Sequence, residues 1–492
     1  MSNLQHRQSK IQVKRKKTPW REFVMEIASW VPLNFYKNQK QISRYPVSER
    51  IGSLTSSQDF FKSMDSQKTI EVWLNSFFQT YIELFKHIDL PSLLEAETEN
   101  ANYADNVRYA KNVYLSFAVV LDCDNVLYSV HIKEKCENVF NSLMIWDWSK
   151  NVYQSKSILK SYNILYSEYI YNSNNIRFSS NLIWCSECIL CNELINKNYC
   201  IKNIQLSKEE YFNQKIEILN QKDSFSIFLK KKIWKPINSE WISNSWFVVN
   251  SSQITNSYNV YNVKNGNNLY DVWSTWWNEN IYDSIIAWSP HGNNFYASLY
   301  SWPWEHIYCS EAVAWWQNNY YSYFLLDCSF CFGCIGLKNK SYCILNKQYT
   351  KEERYEKVDE IFSQMDADGT LGEFFPATMN PFYFNDTAAY LIDPSFTKEE
   401  VTAKWYLWRD EPIKVDIPAW VQTVKISELD QYEGYRDNQR HIDPEIMKKV
   451  IIDEQWNAYR IIPMEYEFLM KHGLPLPRKH WLDRMKENFR IN

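Results

Sequence analysis

Eight cysteines are the residues of this chain best suited to chemistry. Cys185, Cys188, Cys191 and Cys200 follow the spacing Cys-x2-Cys-x2-Cys-x8-Cys, and Cys328, Cys331, Cys334 and Cys343 repeat it at a constant offset. Four thiolates brought together hold Zn²⁺ tetrahedrally, and the duplication would give two such sites. The spacing differs from a zinc ribbon, which sets two Cys-x2-Cys knuckles across a longer gap. A ferredoxin-type cluster needs its fourth cysteine sooner. Thiol redox chemistry is a third use of such a set. The structural alternative is a buried ladder, since cysteine packs as a small hydrophobe and these cysteines stand on ranks that Val and Ser hold elsewhere. The eight are the candidate metal ligands, with zinc as the candidate ion.

No other pattern competes with them. The 8 histidines are scattered and form no Ser/His/Asp or zinc-hydrolase arrangement. Asp366-Ala367-Asp368-Gly369 with Glu373 is too short for an EF-hand loop. Glu465 and Glu467 read as carboxylates on a solvated helix face, and His472 and His480 as surface residues. There is no Gly-rich phosphate loop.

A repeat must position the cysteines. Asn, then Val or Ile, then Ser three residues later recurs at Asn112-Val113…Ser116, Asn125-Val126…Ser129, Asn138-Val139…Ser142, Asn151-Val152…Ser155, Asn163-Ile164…Ser167 and Asn175-Ile176…Ser179. The Asn positions advance in near-equal steps along the chain. Such a period means stacked units. Short apolar segments between polar corners suit parallel strands piled coil on coil, with Asn and Ser forming structural ladders. A coil of about 12 residues has a cramped interior that favours small side chains. The abundance of Val, Ile, Leu and aromatics leaves a coil of about 25 residues as the alternative. The plan returns at Asn268-Leu269, Asn280-Ile281…Ser284, Asn294-Phe295…Ser298, His306-Ile307…Ser310 and Asn318…Ser322. Each array closes on a cysteine set, followed by a capping box, Ser207-Lys208-Glu209-Glu210 or Thr350-Lys351-Glu352-Glu353.

The chain therefore divides into a polar basic arm (1–56), a helical cap (57–100) and a first β-solenoid segment (101–206). A helix and connector (207–256), a second segment (257–349) and a helix with a C-terminal α+β region (350–492) follow. The fold class is mainly β with α+β additions: a parallel β-solenoid in two duplicated segments with helical caps. Hydrophobic residues at 45% and charged residues at 23% mark a folded, soluble chain. A net charge of -4 gives no reason to expect nucleic acid or a membrane surface as partner. The basic run Lys14–Lys17 reads as a solvated tail. An odd cysteine count, tight clustering and no recognisable signal peptide argue against a secreted disulfide framework and lead us to expect the cytoplasm.

Composition holds one anomaly, 9 glycines beside 22 tryptophans. Ordinary usage would supply roughly 34 glycines. Trp also stands in turn contexts that suit Gly, as in Asp147-Trp148-Ser149, Trp302-Pro303-Trp304, Lys404-Trp405-Tyr406, Ala419-Trp420-Val421 and Gln455-Trp456-Asn457, and in the doublets Trp276-Trp277 and Trp315-Trp316. We read many of these as UGA codons that the source organism decodes as Gly. The alternative is a Trp-rich protein whose aromatic turns stack on sugars.

Asn339–Glu353, Gly372-Glu373-Phe374-Phe375-Pro376, Tyr459-Arg460-Ile461 and Leu474-Pro475-Leu476-Pro477-Arg478 resemble segments of a Cys- and Asn-rich family abundant in candidate-phylum bacteria. Its members are sometimes labelled CaiB/BaiF. The resemblance runs from about Phe77 to the C-terminus. Some of these lineages read UGA as glycine. Family members carry Cys-pair zinc knuckles at their ends, which this chain lacks around Asp453–Asn457 and His480–Arg484. The resemblance implies no activity. The expected function is that of a non-enzymatic repeat scaffold binding a protein partner, with the cysteine sets as candidate structural metal sites for zinc or else a buried ladder. The alternative is a carbohydrate-binding or carbohydrate-active β-helix.

Overall fold

The computed structural model describes residues 19–38, 41–64, 68–70, 76–101, 103–220, 318–411, 417–436 and 439–489, and between 240 and 311 the strands alone. It divides into two compact units, 94–232 with 410–492, and 1–93 with 233–409.

The first unit is built on a parallel β-solenoid of about nine coils over residues 95–201. Its geometry follows from one local rule. From Glu97 to Asn203 a left-handed residue recurs at every third position, as at Asn151, Gln154, Ser157 and Lys160, with φ between 46° and 57°. In the central coils the residue after a left-handed one is buried inside: Val152, Ser155, Ile158 and Ser161 in one turn, Ile164, Ser167, Ile170 and Ser173 in the next. Asn before Val is thus a conformational signal, because Asn enters the left-handed region at less cost than most residues. Parallel pairing fixes the stack, with Val139, Val152, Ile164, Ile176, Cys188 and Cys200 on one rank. Ile132, Ile145, Ile158, Ile170, Leu182 and Leu194 form a second rank.

The coil is therefore the short one. Successive asparagines of the repeat stand 13 or 12 apart along the chain and touch one another across neighbouring coils, which excludes the longer alternative. The longer coils absorb their extra residue at one corner, where Leu121 and Asp122, Glu134 and Lys135, and Asp147 and Trp148 are consecutive left-handed pairs. The interior takes one side chain per three residues, alternating β-branched with Ser or Cys. The aromatics that suggested a wider coil point outward instead. Phe140, Tyr153 and Leu165 pack against Phe468, Leu469 and Ile461 of the C-terminal part, and Phe178 and Ile189 against Tyr211 of the helix Lys208–Asn220.

Residues 417–489 form a clasp along this face. A three-stranded sheet, Thr423–Lys425, Val450–Ile452 and Ala458–Tyr459, carries the helix Pro463–His472, which stops at Gly473 with φ 64°. A further helix, Trp481–Phe489, follows the proline-rich stop. The Phe468 ring lies 4.4 Å from Phe140 and 5.8 Å from Tyr153. Glu465 is not on a solvated face: it is fully buried and paired with Arg484 at 2.6 Å. Glu467, two residues on, is exposed. Nor are His472 and His480 surface residues. His472 lies against Phe468 at 4.3 Å and His480 against Trp481 at 5.2 Å, and burial pushes both down to about 4.

In the second unit, parallel strands align Ile281 with Phe295 and Ile307, and Ser284 with Ser298 and Ser310, the ranks expected from the sequence. Asn268-Leu269 lies outside the described residues. Within the connector, Glu240–Ser243 lies parallel to Ser252–Thr255. The last coils pair Tyr320 with Phe332, Tyr323 with Ile335 and Phe332 with Ile344. The cap comprises two helices, Ser57–Ser63 and Phe77–His87, and the basic arm is shorter than expected, because Val24, Ile27, Trp30, Leu33 and Tyr45 are core residues. Lys14–Lys17 lies outside the described residues. Among the described residues, no helix is long and apolar enough to cross a membrane.

Candidate functional site

Each cysteine set occupies the last two coils of its array, with Cys200 stacked on Cys188, on ranks prepared by the coils before it. Cys185 succeeds Ser149, Ser161 and Ser173, whose hydroxyls accept the backbone N–H of the next coil at 3.3, 3.0 and 3.0 Å. Cys191 succeeds Ser155, Ser167 and Ser179 in the same way. Ser155, Ser161, Ser167, Ser173 and Ser179 also donate to the carbonyl two residues back, as Ser167 does to Leu165 at 2.8 Å, and Ser149 donates to that of Trp146 three back. A buried hydroxyl that donates and accepts satisfies two backbone groups at a corner where the strands lapse. The thiols keep this geometry. Sγ of Cys185 lies 3.3 Å from the Ile183 carbonyl, and Sγ of Cys191 3.3 Å from that of Ile189. The N–H of Asn203 donates to Cys191 Sγ at 3.4 Å.

The second set matches it atom for atom. Cys328 Sγ lies 3.4 Å from the Leu326 carbonyl and Cys334 Sγ 3.5 Å from that of Phe332, and the Asn346 N–H donates to Cys334 Sγ at 3.5 Å. Both arrays then close on an Asn in the left-handed region, Asn203 (φ 66°) and Asn346 (φ 65°). The Asn203 amide accepts from the N–H of Asn192 and donates to its carbonyl, both at 2.8 Å. Asn346 does the same to Ile335 at 2.8 and 2.9 Å. A side-chain amide thus stands in for the backbone of the missing next coil.

The structure brings each set of thiols together. Hydrogen bonds with the thiols of Cys185 and Cys191, then burial, push Cys188 up. The same contacts with Cys328, Cys334 and Cys343 push Cys331 up. The hydrogen bond from Cys188 lowers Cys185 to about 7, and Cys331 similarly lowers Cys328 and Cys343. A thiol directed at a carbonyl oxygen holds its proton there, whereas a zinc-bound thiolate has none to give. Among the described residues, no three His, Cys, Asp or Glu side chains are arranged to hold a metal ion. The described cysteines are all free and buried. Cys123 and Cys136, which sequence reasoning passed over, lie on the Ser149 rank with Sγ 3.2 and 3.1 Å from the carbonyls of Val120 and Lys133.

The Asn residues form an outer ladder. Nδ2 of Asn125 donates to Asn138, Asn138 to Asn151, Asn151 to Asn163 and Asn163 to Asn175, at 2.8 to 3.0 Å. The chain of amides ends on the Glu187 carboxylate at 2.7 Å, which Lys215 of the helix Lys208–Asn220 holds at 2.9 Å. Beside it run the ion pairs Lys111–Asp124 and Lys150–Glu137 and the exposed ring of Tyr162. No protein-family model, curated protein or solved structure matches the chain.

Proposed function

We propose that the chain is a repeat scaffold without catalytic chemistry of its own, which holds a protein partner on the polar face of its first solenoid. The Asn ladder carries this reading. It is a regular surface with matched charges alongside, and every amide of the run is already used in holding its neighbour. Such a face offers shape and register rather than a reactive group. The buried free thiols support a reducing compartment, the cytoplasm. Cross-linking of the chain in its native host through Lys111 and Lys150 tests the reading. One partner protein, cross-linked at these lysines and lost when both are changed to Glu, is the expected result. Cross-links scattered over the whole surface would overturn it.

A second reading has its own observation. Tyr109, Trp148, Tyr162 and Trp184 are about half exposed on the solenoid (55, 58, 48 and 56%), and exposed rings stack on sugar faces. It predicts polysaccharide binding that the Tyr162→Ala substitution weakens. We further propose that glycine is the native residue at several tryptophans. Outside the coils, the described residues with positive φ are Gly369, Gly372, Gly473, Trp405 and Trp456, and these two Trp are 69 and 81% exposed. Glycine at Trp148 and Trp184, which also have positive φ, would remove two of the four rings.

A further inference from the structure

The duplication lets one coil end be read against the other. In the second segment the closing coil is covered. The second N–H of the Asn346 amide donates to the Lys68 carbonyl at 3.0 Å. Phe77 packs edge-on to Phe332 at 4.9 Å and to Tyr321 at 5.3 Å, and its ring lies 2.8 Å from where Gly333 would carry a Cβ. Asn346 is consequently 7% exposed, and Ile335, Leu337 and Leu345 are buried.

The first segment ends on the same coil, and among the described residues no segment sits on it as Lys68 and Phe77 sit on the second. Among the described residues Asn192–Ile195 is the outermost strand of its sheet, paired with Ser180–Ile183, and Asn203 is exposed. Among its exposed polar residues Glu193, Lys197 and Lys202 stand two apolar side chains. Ile195 and Ile204 are 52 and 63% exposed, where the second segment has Lys338 and Lys347 at the equivalent positions. Lysine is the residue that keeps a strand edge from pairing with other chains, and isoleucine invites a cover. The two ends thus share an Asn cap and differ at the positions that govern association.

We propose that the end coil of the first solenoid, at Asn192–Ile195 and Asn203-Ile204, is a docking site for an aromatic-bearing helix of a partner protein. That helix would sit as Lys68 and the helix Phe77–His87 of this chain sit on the second end coil. Its backbone carbonyl takes the Asn203 amide as Lys68 does at Asn346, and an aromatic ring enters beside Leu190, the counterpart of Gly333. Because Leu190 carries the side chain that Gly333 lacks, the ring sits further from the coil than Phe77 does. The proposal rests on the reading of the chain as a protein-binding scaffold, and gives that scaffold a second contact at the end of its first solenoid.

The test uses the full chain and a synthetic peptide of residues 68–88 as the probe. The expected result is binding with slowed hydrogen exchange over 190–204, weakened about tenfold or more by Ile195→Lys with Ile204→Lys. The second segment already carries Lys at both positions, and an unchanged melting temperature confirms that the variant folds. No binding, equal binding by the variant, or protection confined to 332–346 would overturn the proposal. So would self-association of the chain that the same variant abolishes, because the occupant is then a second copy. Loss of this site with the Lys111 and Lys150 cross-links intact removes the end-coil proposal and leaves the scaffold reading standing.

Discussion

Single residues decide how this chain tolerates its own backbone. Left-handed conformation costs an L-residue about 1–2 kcal/mol, and inside the coils the stacked hydrogen bonds offset it. Trp405 and Trp456 have no coil around them, with φ of 70° and 63°. Trp405→Gly and Trp456→Gly are each expected to raise stability by about 1 kcal/mol in urea titrations, whereas Trp30→Gly, at a fully buried ring, loses about 3–5 kcal/mol. Reading the codons and the native mass decides the proposed assignment of glycine directly. Glu465 is the other telling residue. It was legible as a helical carboxylate, but its partner Arg484 belongs to the next helix and no local spacing joins them. Glu465→Ala removes the carboxylate that faces a buried guanidinium and is expected to cost about 3–5 kcal/mol, while Glu465→Leu with Arg484→Met recovers most of it.

At the scale of the element, the solenoid coil is a device for satisfying backbone groups in a narrow core. Ser and Cys exchange along one rank because both are small, and both reach the carbonyl two residues back. Cys185→Ser and Cys191→Ser are therefore expected to shift stability by less than about 1 kcal/mol. A zinc site would behave otherwise, with loss of bound metal by elemental analysis and a larger loss of stability in either variant. The repeat, its ranks and the cysteine sets were legible because each coil writes the same letters at the same step. Coil length was not, because an outward aromatic and an inward one look alike until the packing is known. The second Ser rank and the caps at Asn203 and Asn346 stayed hidden for a related reason: each needs the coil geometry before its partner is apparent.

Within the first unit, the clasp ties the C-terminal part to the solenoid through buried aromatic and ionisable groups. His472 and His480 are neutral in the fold, held near 4 by burial, against an ordinary value of about 6.5. The unfolded chain then binds more protons between these values. Stability is full above about pH 6.5 and falls as pH drops toward about 4. Melting temperatures measured across this window should decline, and replacing both histidines by Gln should flatten the slope. An unchanged slope would place the acid sensitivity elsewhere.

The sequence by itself determined the solenoid, its duplication, the capping boxes and the cysteine ranks, because periodic stacking and helix starts are local patterns that a linear text records. The tertiary structure decided what no local pattern records: which side chains turn inward, how the eight thiols meet the backbone, and which carboxylate is buried with Arg484. It also decided that Lys68 and Phe77 cover one end coil, while the matching coil presents Ile195 and Ile204 to solvent. Those outcomes depend on segments far apart in the chain, and burial and pairing exist only once the segments meet.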